Sequence, residues 1–275
     1  MAWFEDFRGK CVIVTGASSG IGRETALAFG SVGAHVVLVA RRRGALDAVA
    51  AQIREAGGQA LVAPADVTHQ PAVYDVMLDA RDAFGRVDLV VNNAGVLIPS
   101  PVESLEPADL EAMLKVNVYG ALFVMQAAVR QMREQGGDGT IVNVASLAGR
   151  RGVTPLGGYC ATKFALVGLT EALRTELRDT RIHVGLVLPG IIETPMAHGP
   201  DHELEQLWPA RLNMPASWVV WAIFAAARFR LVEISVPPGA ATLEKLGALA
   251  PGITDSMVYW GAQASQWLSR LLRRS

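Results

Sequence analysis

The segment Tyr159-Cys160-Ala161-Thr162-Lys163 places a phenol and an ammonium four residues apart, neighbours on one face wherever that segment is helical. A free tyrosine, with a pKa near ~10, is a poor proton-transfer group at neutral pH. A neighbouring cation favours the phenolate and brings the phenol towards the range of general acid–base work. The spacing alone is common, and a core tyrosine beside a lysine whose ammonium reaches outward fits it as well.

A second group of residues is suited to phosphate. Thr15-Gly16-Ala17-Ser18-Ser19-Gly20-Ile21-Gly22 follows an apolar run and opens a segment of helical spacing. Glycines there let backbone approach a pyrophosphate, and the helix N-terminus adds N–H groups and positive potential. The spacing is GxxxGxG rather than GxGxxG, and Gly16, Gly20 and Gly22 are the expected points of close approach. About twenty residues beyond such glycines an acidic side chain ordinarily meets a free ribose 2′-hydroxyl. Here the chain reads Val39-Ala40-Arg41-Arg42-Arg43. A guanidinium fork suits a 2′-phosphate instead, and cations at a helix start are unfavourable unless an anion lies nearby. These residues favour NADP over NAD.

The elements that position these groups alternate in texture. Seven β-branched runs, Cys11–Thr15, His35–Ala40, Ala60–Ala65, Leu89–Asn92, Thr140–Ala145, His183–Leu188 and Leu231–Val236, are apolar almost throughout, as in strands buried on both faces. Between them, Arg23–Ser31, Leu46–Ala56, Val73–Phe84, Pro107–Glu134 and Tyr159–Asp179 carry helical periodicity. Alternating β and α elements with right-handed crossovers predict a Rossmann-like, doubly wound, seven-stranded parallel sheet with helices on both faces. One catalytic domain is expected over 8–237, with a flap within 189–215 around the amphipathic piece Glu203–Leu212. A helical extension is expected over 238–275.

Among the 275 residues, 25 Lys and Arg balance 26 Asp and Glu for a net charge of −1. No global field favours nucleic acid. The two cysteines, Cys11 and Cys160, form no metal-type or disulfide-type pair, which points to a cytoplasmic home. The start of the chain lacks the apolar run of a signal peptide, and Trp218–Ala227 is about half the ~20 residues a spanning helix needs. No transmembrane segment is expected. His198 and His202 flank Gly199-Pro200, a loop pair rather than a metal site.

Taken together, the motifs resemble those of the short-chain dehydrogenase/reductase family in its principal single-domain form. The matches are Thr15 to Gly22, Asp66-Val67, Asn92-Asn93-Ala94-Gly95, Asn117, Ser146, Tyr159 with Lys163, and Pro189-Gly190 with Thr194, in order, over roughly residues 8 to 237. The resemblance implies that Tyr159 donates a proton to a carbonyl oxygen while a nicotinamide delivers hydride to the carbon. Lys163 then depresses the tyrosine pKa and holds the nicotinamide ribose, Ser146 holds the substrate oxygen, and Asn117 supports a water for proton relay. It further implies cofactor contacts from Ser18, Ser19 and Ile21, from Asp66 and Val67 at the adenine, from Asn93, Ala94 and Gly95 at the cleft, and from Pro189, Gly190, Ile192 and Thr194 near the carboxamide. Some NADP-preferring relatives carry a basic residue where this chain has Ser19. The 2′-phosphate is therefore left to Arg41 and Arg42, with NAD(H) possible as a secondary cofactor beside NADP(H).

Val96, Leu97, Ile98, Leu147, Pro155, Leu156, Met196, Leu204, Leu207, Trp208 and Leu212 are expected around the reacting carbon. They imply an apolar ketone, aldehyde or alcohol, although core or interface packing explains them equally well. In the tail, Trp260, Ala264, Trp267, Leu268 and Leu271 share a helical stripe. That stripe suits packing within a homodimer or homotetramer, as the family's habits imply, its own domain, or a membrane surface. Enone or imine reduction on the same scaffold is the alternative chemistry, and non-catalytic NADP sensing the alternative class.

Overall fold

The computed structural model describes residues 6–196, 213–247, 249–252 and 256. Its strands are β1 (Cys11–Thr15), β2 (His35–Ala40), β3 (Gln59–Pro64), β4 (Leu89–Asn92), β5 (Asp138–Val144), β6 (Arg181–Pro189) and β7 (Glu233–Val236). All pair in parallel, in the order β3-β2-β1-β4-β5-β6-β7. The chain winds outward from β1 to β3 and then returns to lay β4 on the other side of β1. That reversal opens a crevice at the carboxyl ends of β1 and β4, where ligands bind in open α/β sheets.

The helices are α1 (Gly20–Ser31), α2 (Arg43–Glu55), α3 (Gln70–Phe84), α4 (Pro107–Leu114), α5 (Ala121–Glu134), α6 (Gly157–Glu176), α7 (Ala216–Arg228) and α8 (Ala240–Gly247). They cover both faces of the sheet, which is why the strands are apolar at successive positions. Ile13, Val37, Val90 and Ile141 pack with Val76 and Met77 of α3, Val124 of α5 and Leu166 of α6. Val12, Val14, Val36 and Leu38 pack on the other face with Phe29 of α1, Leu46 and Ile53 of α2, and Phe224 of α7. There Phe29 and Phe224 stack at 3.9 Å, and Phe7 meets them edge-on at 5.1 and 5.3 Å.

The sheet has the expected topology, with shifted ends. β5 and β6 start earlier than their apolar runs because backbone pairing extends to the polar pair Asp138 and Arg181. The run Pro107–Glu134 is not one regular helix, since a π-turn at Lys115–Gly120 separates α4 from α5. By length and composition this run could cross a membrane, with half of its most apolar window buried inside the fold. The apolar run around Trp218 is α7, whose Val219, Ile223 and Phe224 are fully buried. The ends of the segment expected to form a flap are joined, where Met214 N donates to Ile191 O (2.9 Å) and Glu193 N to Met214 O (3.0 Å). Glu203–Leu212 and the tail stripe from Trp260 onward lie outside the described residues, and α8 lies within the part of 238–275 that is described.

Candidate active site

The turn after β1 and the loop after β4 are tied together at the crevice. The Thr15 hydroxyl accepts from Asn93 N (2.9 Å) and Ala94 N (3.0 Å), and Asn93 Nδ2 donates to Thr15 O (3.0 Å). Gly16 and Gly20 hold φ of +68° and +52°, the left-handed region that disfavours any side chain. A Cβ on Gly16 would also stand 2.8 Å from Asn93 Nδ2. Gly22 serves differently: its Cβ would overlap Gly16 O and lie 2.6 Å from Asn93 Nδ2. Gly22 thus lets α1 seat on its own loop and does not line the cleft. α1 opens without a side-chain cap or an acid in its first turn, so its positive end is uncompensated by the chain itself.

The resulting cleft encloses about 280 Å³. Its walls are Gly16, Ser18, Ser19, Gly20 and Ile21 from the turn, Arg41 and Arg42 beyond β2, and Asp66 and Val67 beyond β3. Asn93, Ala94 and Gly95 beyond β4, and Thr194, complete it. Arg42 Nη2 donates to Ser18 Oγ at 3.2 Å. The Asp66 carboxylate accepts from Thr68 N (2.9 Å) and Thr68 Oγ1 (2.8 Å). Burial would raise its pKa, but these two bonds and the Arg41 charge hold it below the ordinary value. A backbone cradle, a helix N-terminus and two guanidinium groups along one crevice fit a dinucleotide.

A second cavity of about 550 Å³ adjoins the cleft, sharing Ile21, Asn93, Gly95, Thr194 and Met196. Ser146 from the end of β5 and Tyr159 and Lys163 from α6 meet on its wall. The Ser146 Oγ accepts from Ala148 N (3.1 Å) and donates to Pro189 O (3.2 Å). Lys163 Nζ lies 5.6 Å from the Tyr159 ring centre and donates to Val144 O at 3.3 Å. Both α6 side chains are buried. Burial pushes the Tyr159 pKa well above its ordinary value, against a weaker opposing hydrogen bond from Ser146. Burial also lowers Lys163 to about 8. The expected depression of the phenol by the ammonium is therefore not what the protein alone provides: desolvation of the charged forms outweighs their attraction.

Asn117 sits on the π-turn, fully buried. Its Nδ2 donates to Val96 O (2.8 Å) and Thr162 Oγ1 (2.9 Å), and its Oδ1 accepts from Val96 N (2.8 Å). Both amide hydrogens are used within the protein, leaving one oxygen lone pair for a water. A Cβ on Gly95 would lie 3.2 Å from Asn117 Oδ1 and 3.6 Å from Lys163 Nζ, so this glycine separates the two groups. Gly190 N donates to Val236 O at 2.7 Å, Ile192 is buried, and Thr194 Oγ1 donates to Ile192 O at 3.4 Å. Pro189, Gly190, Ile192 and Thr194 all line the second cavity.

Most of the remaining lining is apolar. Leu97, Leu147, Leu156 and Met196 are there, whereas Val96 faces the first cleft, and Ile98 and Pro155 line neither. Leu204, Leu207, Trp208 and Leu212 lie outside the described residues, as do His198 and His202. Among the described residues no three His, Cys, Asp or Glu side chains converge as a metal site. Cys160 is buried against Val153, and that burial raises its thiol pKa, as suits packing rather than nucleophilic attack. Sequence reasoning missed Thr15 and Thr162 as positioning groups and Arg151, Asn213 and Glu244 as cavity liners. Thr162 lay inside the tyrosine motif, while nothing local marked Glu244.

A doubly wound sheet with a glycine-rich turn at its switch point and a Ser–Tyr–Lys group beside it, its tyrosine and lysine buried, defines a nicotinamide-dependent oxidoreductase. The family model for short chain dehydrogenases matches residues 10–204, and the chain belongs to that family. It is similar to an uncharacterised oxidoreductase of Bacillus subtilis, with 33% identity over 91% of this chain and 72% of that one. A sorbitol dehydrogenase of Cereibacter sphaeroides is 36% identical over 70% of this chain and 74% of its own. A short-chain dehydrogenase/reductase of Burkholderia phymatum, solved in complex with NAD, superposes with a TM-score of 0.80. The two are 28% identical, over 90% of this chain and 96% of that one.

Proposed function

We propose that the chain is an NADPH-dependent carbonyl reductase that converts a hydrophobic ketone or aldehyde to an alcohol, or runs the reverse oxidation. The observation that carries the reading is Tyr159, a phenol kept protonated by burial in an apolar-lined cavity that adjoins the phosphate cleft. A protonated phenol is the form needed to give a proton to a carbonyl oxygen. When bound, the nicotinamide supplies hydride in reduction and accepts it in oxidation.

Ser146 Oγ holds the substrate oxygen and shares its developing charge, and Tyr159 Oη gives up the proton. Lys163 binds the nicotinamide ribose together with Tyr159, and its positive charge stabilises the phenolate left behind. Asn117 orders the water through which that phenolate is reprotonated. Gly16, Ser19, Gly20 and Ile21 take the pyrophosphate, and Arg41, Arg42 and Ser18 the 2′-phosphate. Asp66 and Val67 flank the adenine, Asn93, Ala94 and Gly95 line the cleft, and Pro189, Gly190, Ile192 and Thr194 hold the carboxamide end. NAD(H) is a secondary cofactor, a reading supported by the NAD-bound Burkholderia phymatum relative. The domain comprises residues 8–237 with an extension over 238–275, acting as a cytoplasmic homodimer or homotetramer.

The test is NADPH oxidation against a panel of apolar ketones, aldehydes and quinones, with NADH in parallel. Turnover with a preference for NADPH is expected. Silence across the panel, with NADPH bound in calorimetry, would transfer the chain to a non-catalytic sensing role.

A further inference from the structure

Ser146 follows β5 and opens a single tight turn. Upstream it is fixed by the sheet, where Ala145 N donates to Val187 O at 2.9 Å. Downstream, Gly149 N donates to Ser146 O (2.9 Å) and Arg150 N to Leu147 O (2.9 Å), which makes the backbone from Ser146 to Arg150 one unit. The Ser146 hydroxyl adds a tie of its own by donating to Pro189 O at 3.2 Å. A hydroxyl has one hydrogen to give. When that hydrogen turns to a substrate oxygen, the tie to Pro189 is lost just as the position of Oγ begins to matter. The turn then has to be held from elsewhere.

Arg150, at the downstream end of the turn, is clamped on two sides. Its Nη2 donates to Glu171 Oε1 on α6 and to Glu233 Oε2 on β7, each at 2.6 Å. Lys245 Nζ, on α8, donates to the other oxygen, Glu233 Oε1, at 2.8 Å. The turn meets α6 at a second point, since a Cβ on Gly149 would stand 2.8 Å from Lys163 O. Glu171 lies eight residues beyond Lys163, about 12 Å along the helix axis. Two contacts that far apart stop the turn from sliding or pivoting on the helix that carries Tyr159 and Lys163. The bond to Glu233 ties it to β7, which pairs with β6, the strand that ends in Pro189. We propose that Arg150 is a positioning residue for the reaction, holding the turn that carries Ser146 in place while the serine hydroxyl is engaged with the substrate. The inference rests on the carbonyl-reductase reading and adds to it a residue that lines neither cavity. Removing the guanidinium leaves Glu233 with Lys245 and leaves Glu171, whose side chain is 42% exposed, to water, so the fold is expected to persist.

The test is reduction of cyclohexanone, acetophenone and benzaldehyde by NADPH, with the full chain and with Arg150→Met in two backgrounds, wild type and Ser146→Ala. In the wild-type background Arg150→Met should lower kcat about tenfold or more, as a small misplacement of a reacting group does. KM for NADPH should change no more than about twofold. Arg150→Lys, which keeps a cation between the carboxylates, should retain more of the rate. In the Ser146→Ala background Arg150→Met should cost no more than about twofold, because residues that act through one another are not additive. Glu171→Gln, which weakens one arm of the clamp, carries the same two-background comparison should Arg150→Met not fold. Calorimetry of cyclohexanol on the NADP-loaded protein reads the comparison without turnover: affinity lost in Arg150→Met should not be lost again once Ser146 is alanine. That binding pattern without any turnover would overturn the reductase reading and leave the role of Arg150 standing. Turnover with equal losses in the two backgrounds would overturn the role of Arg150 alone, as would an unchanged kcat in Arg150→Met or equal rates for Arg150→Met and Arg150→Lys. Neither turnover nor binding would overturn both.

Discussion

Replacing Lys163 with methionine should stabilise the cofactor-free protein while destroying its activity. Burial lowers Lys163 from 10.5 to about 8, a shift whose free-energy equivalent is about 3 kcal/mol. Because the folded pKa lies below the unfolded one, the unfolded chain binds more protons between those values, and stability rises with pH across that window. Below pH 8 the penalty for burying the ammonium is present in full. Methionine removes that penalty but loses the bond to Val144 O, worth about 1 kcal/mol. The net gain is about 2 kcal/mol near neutral pH. It should shrink as pH rises and be gone once the wild-type lysine is neutral in both states. Urea unfolding of wild type and Lys163→Met, without cofactor, at pH 7 and above pH 10 measures this directly. The difference between the two proteins isolates the lysine from every other titrating group. A difference of the same size at both pH values, or a variant less stable at pH 7, would refute the claim that desolvation dominates at this site.

Tyr159→Phe should lower turnover by about two to four orders of magnitude, the usual range for removing a general acid. Calorimetry should find NADPH affinity changed by no more than a few-fold. Arg41→Ala with Arg42→Ala should lower the ratio of kcat/KM for NADPH over NADH by about tenfold or more, since two charge-assisted contacts to one phosphate are removed. An unchanged ratio would remove Arg41 and Arg42 from the discrimination between the two cofactors. Gly22→Ala should destabilise the fold by about 1–3 kcal/mol, because its Cβ would meet Gly16 O and, at 2.6 Å, Asn93 Nδ2. Thermal unfolding of the variant reads that loss without reference to catalysis.

How much of this was legible in the sequence depended on whether the signal was local. The seven strands could be read because β-branched runs such as Val12–Val14 and Val36–Val39 are buried on both faces. Their ends could not, since pairing of Asp138 with Arg181 is a property of two strands together. Trp218–Ala227 read only as an apolar run, because length and periodicity alone leave such a stretch ambiguous. The positions of Ser146, Tyr159 and Lys163 followed from order and spacing, but their environment did not. The raised phenol and the lowered ammonium come from burial, which is created by β5, β6 and the loop after β4 closing around α6. Gly16 and Gly22 share a letter and a motif, yet one has a left-handed backbone at the cleft and the other makes room for a neighbouring carbonyl.

The protonation states of Tyr159 and Lys163 and the walls of the second cavity are not independent features. Both pKa shifts have the same first cause, removal of the charged forms from water. The walls that exclude water include Met196, Asn213, and Glu244 from α8. Asn213 and Glu244 lie beyond the matched family segment, whereas Ser146, Tyr159 and Lys163 lie within it. The acid–base group is thus supplied by the segment that the family model matches and tuned partly by residues that follow it. Seating an apolar substrate in this cavity would dry it further and hold the phenol more firmly in its proton-donating form. Loosening α8 from Glu233 would admit water, lower the Tyr159 pKa and raise that of Lys163. Substitutions at Lys245, although it lines neither cavity, are therefore expected to move the pH profile of turnover as well as KM.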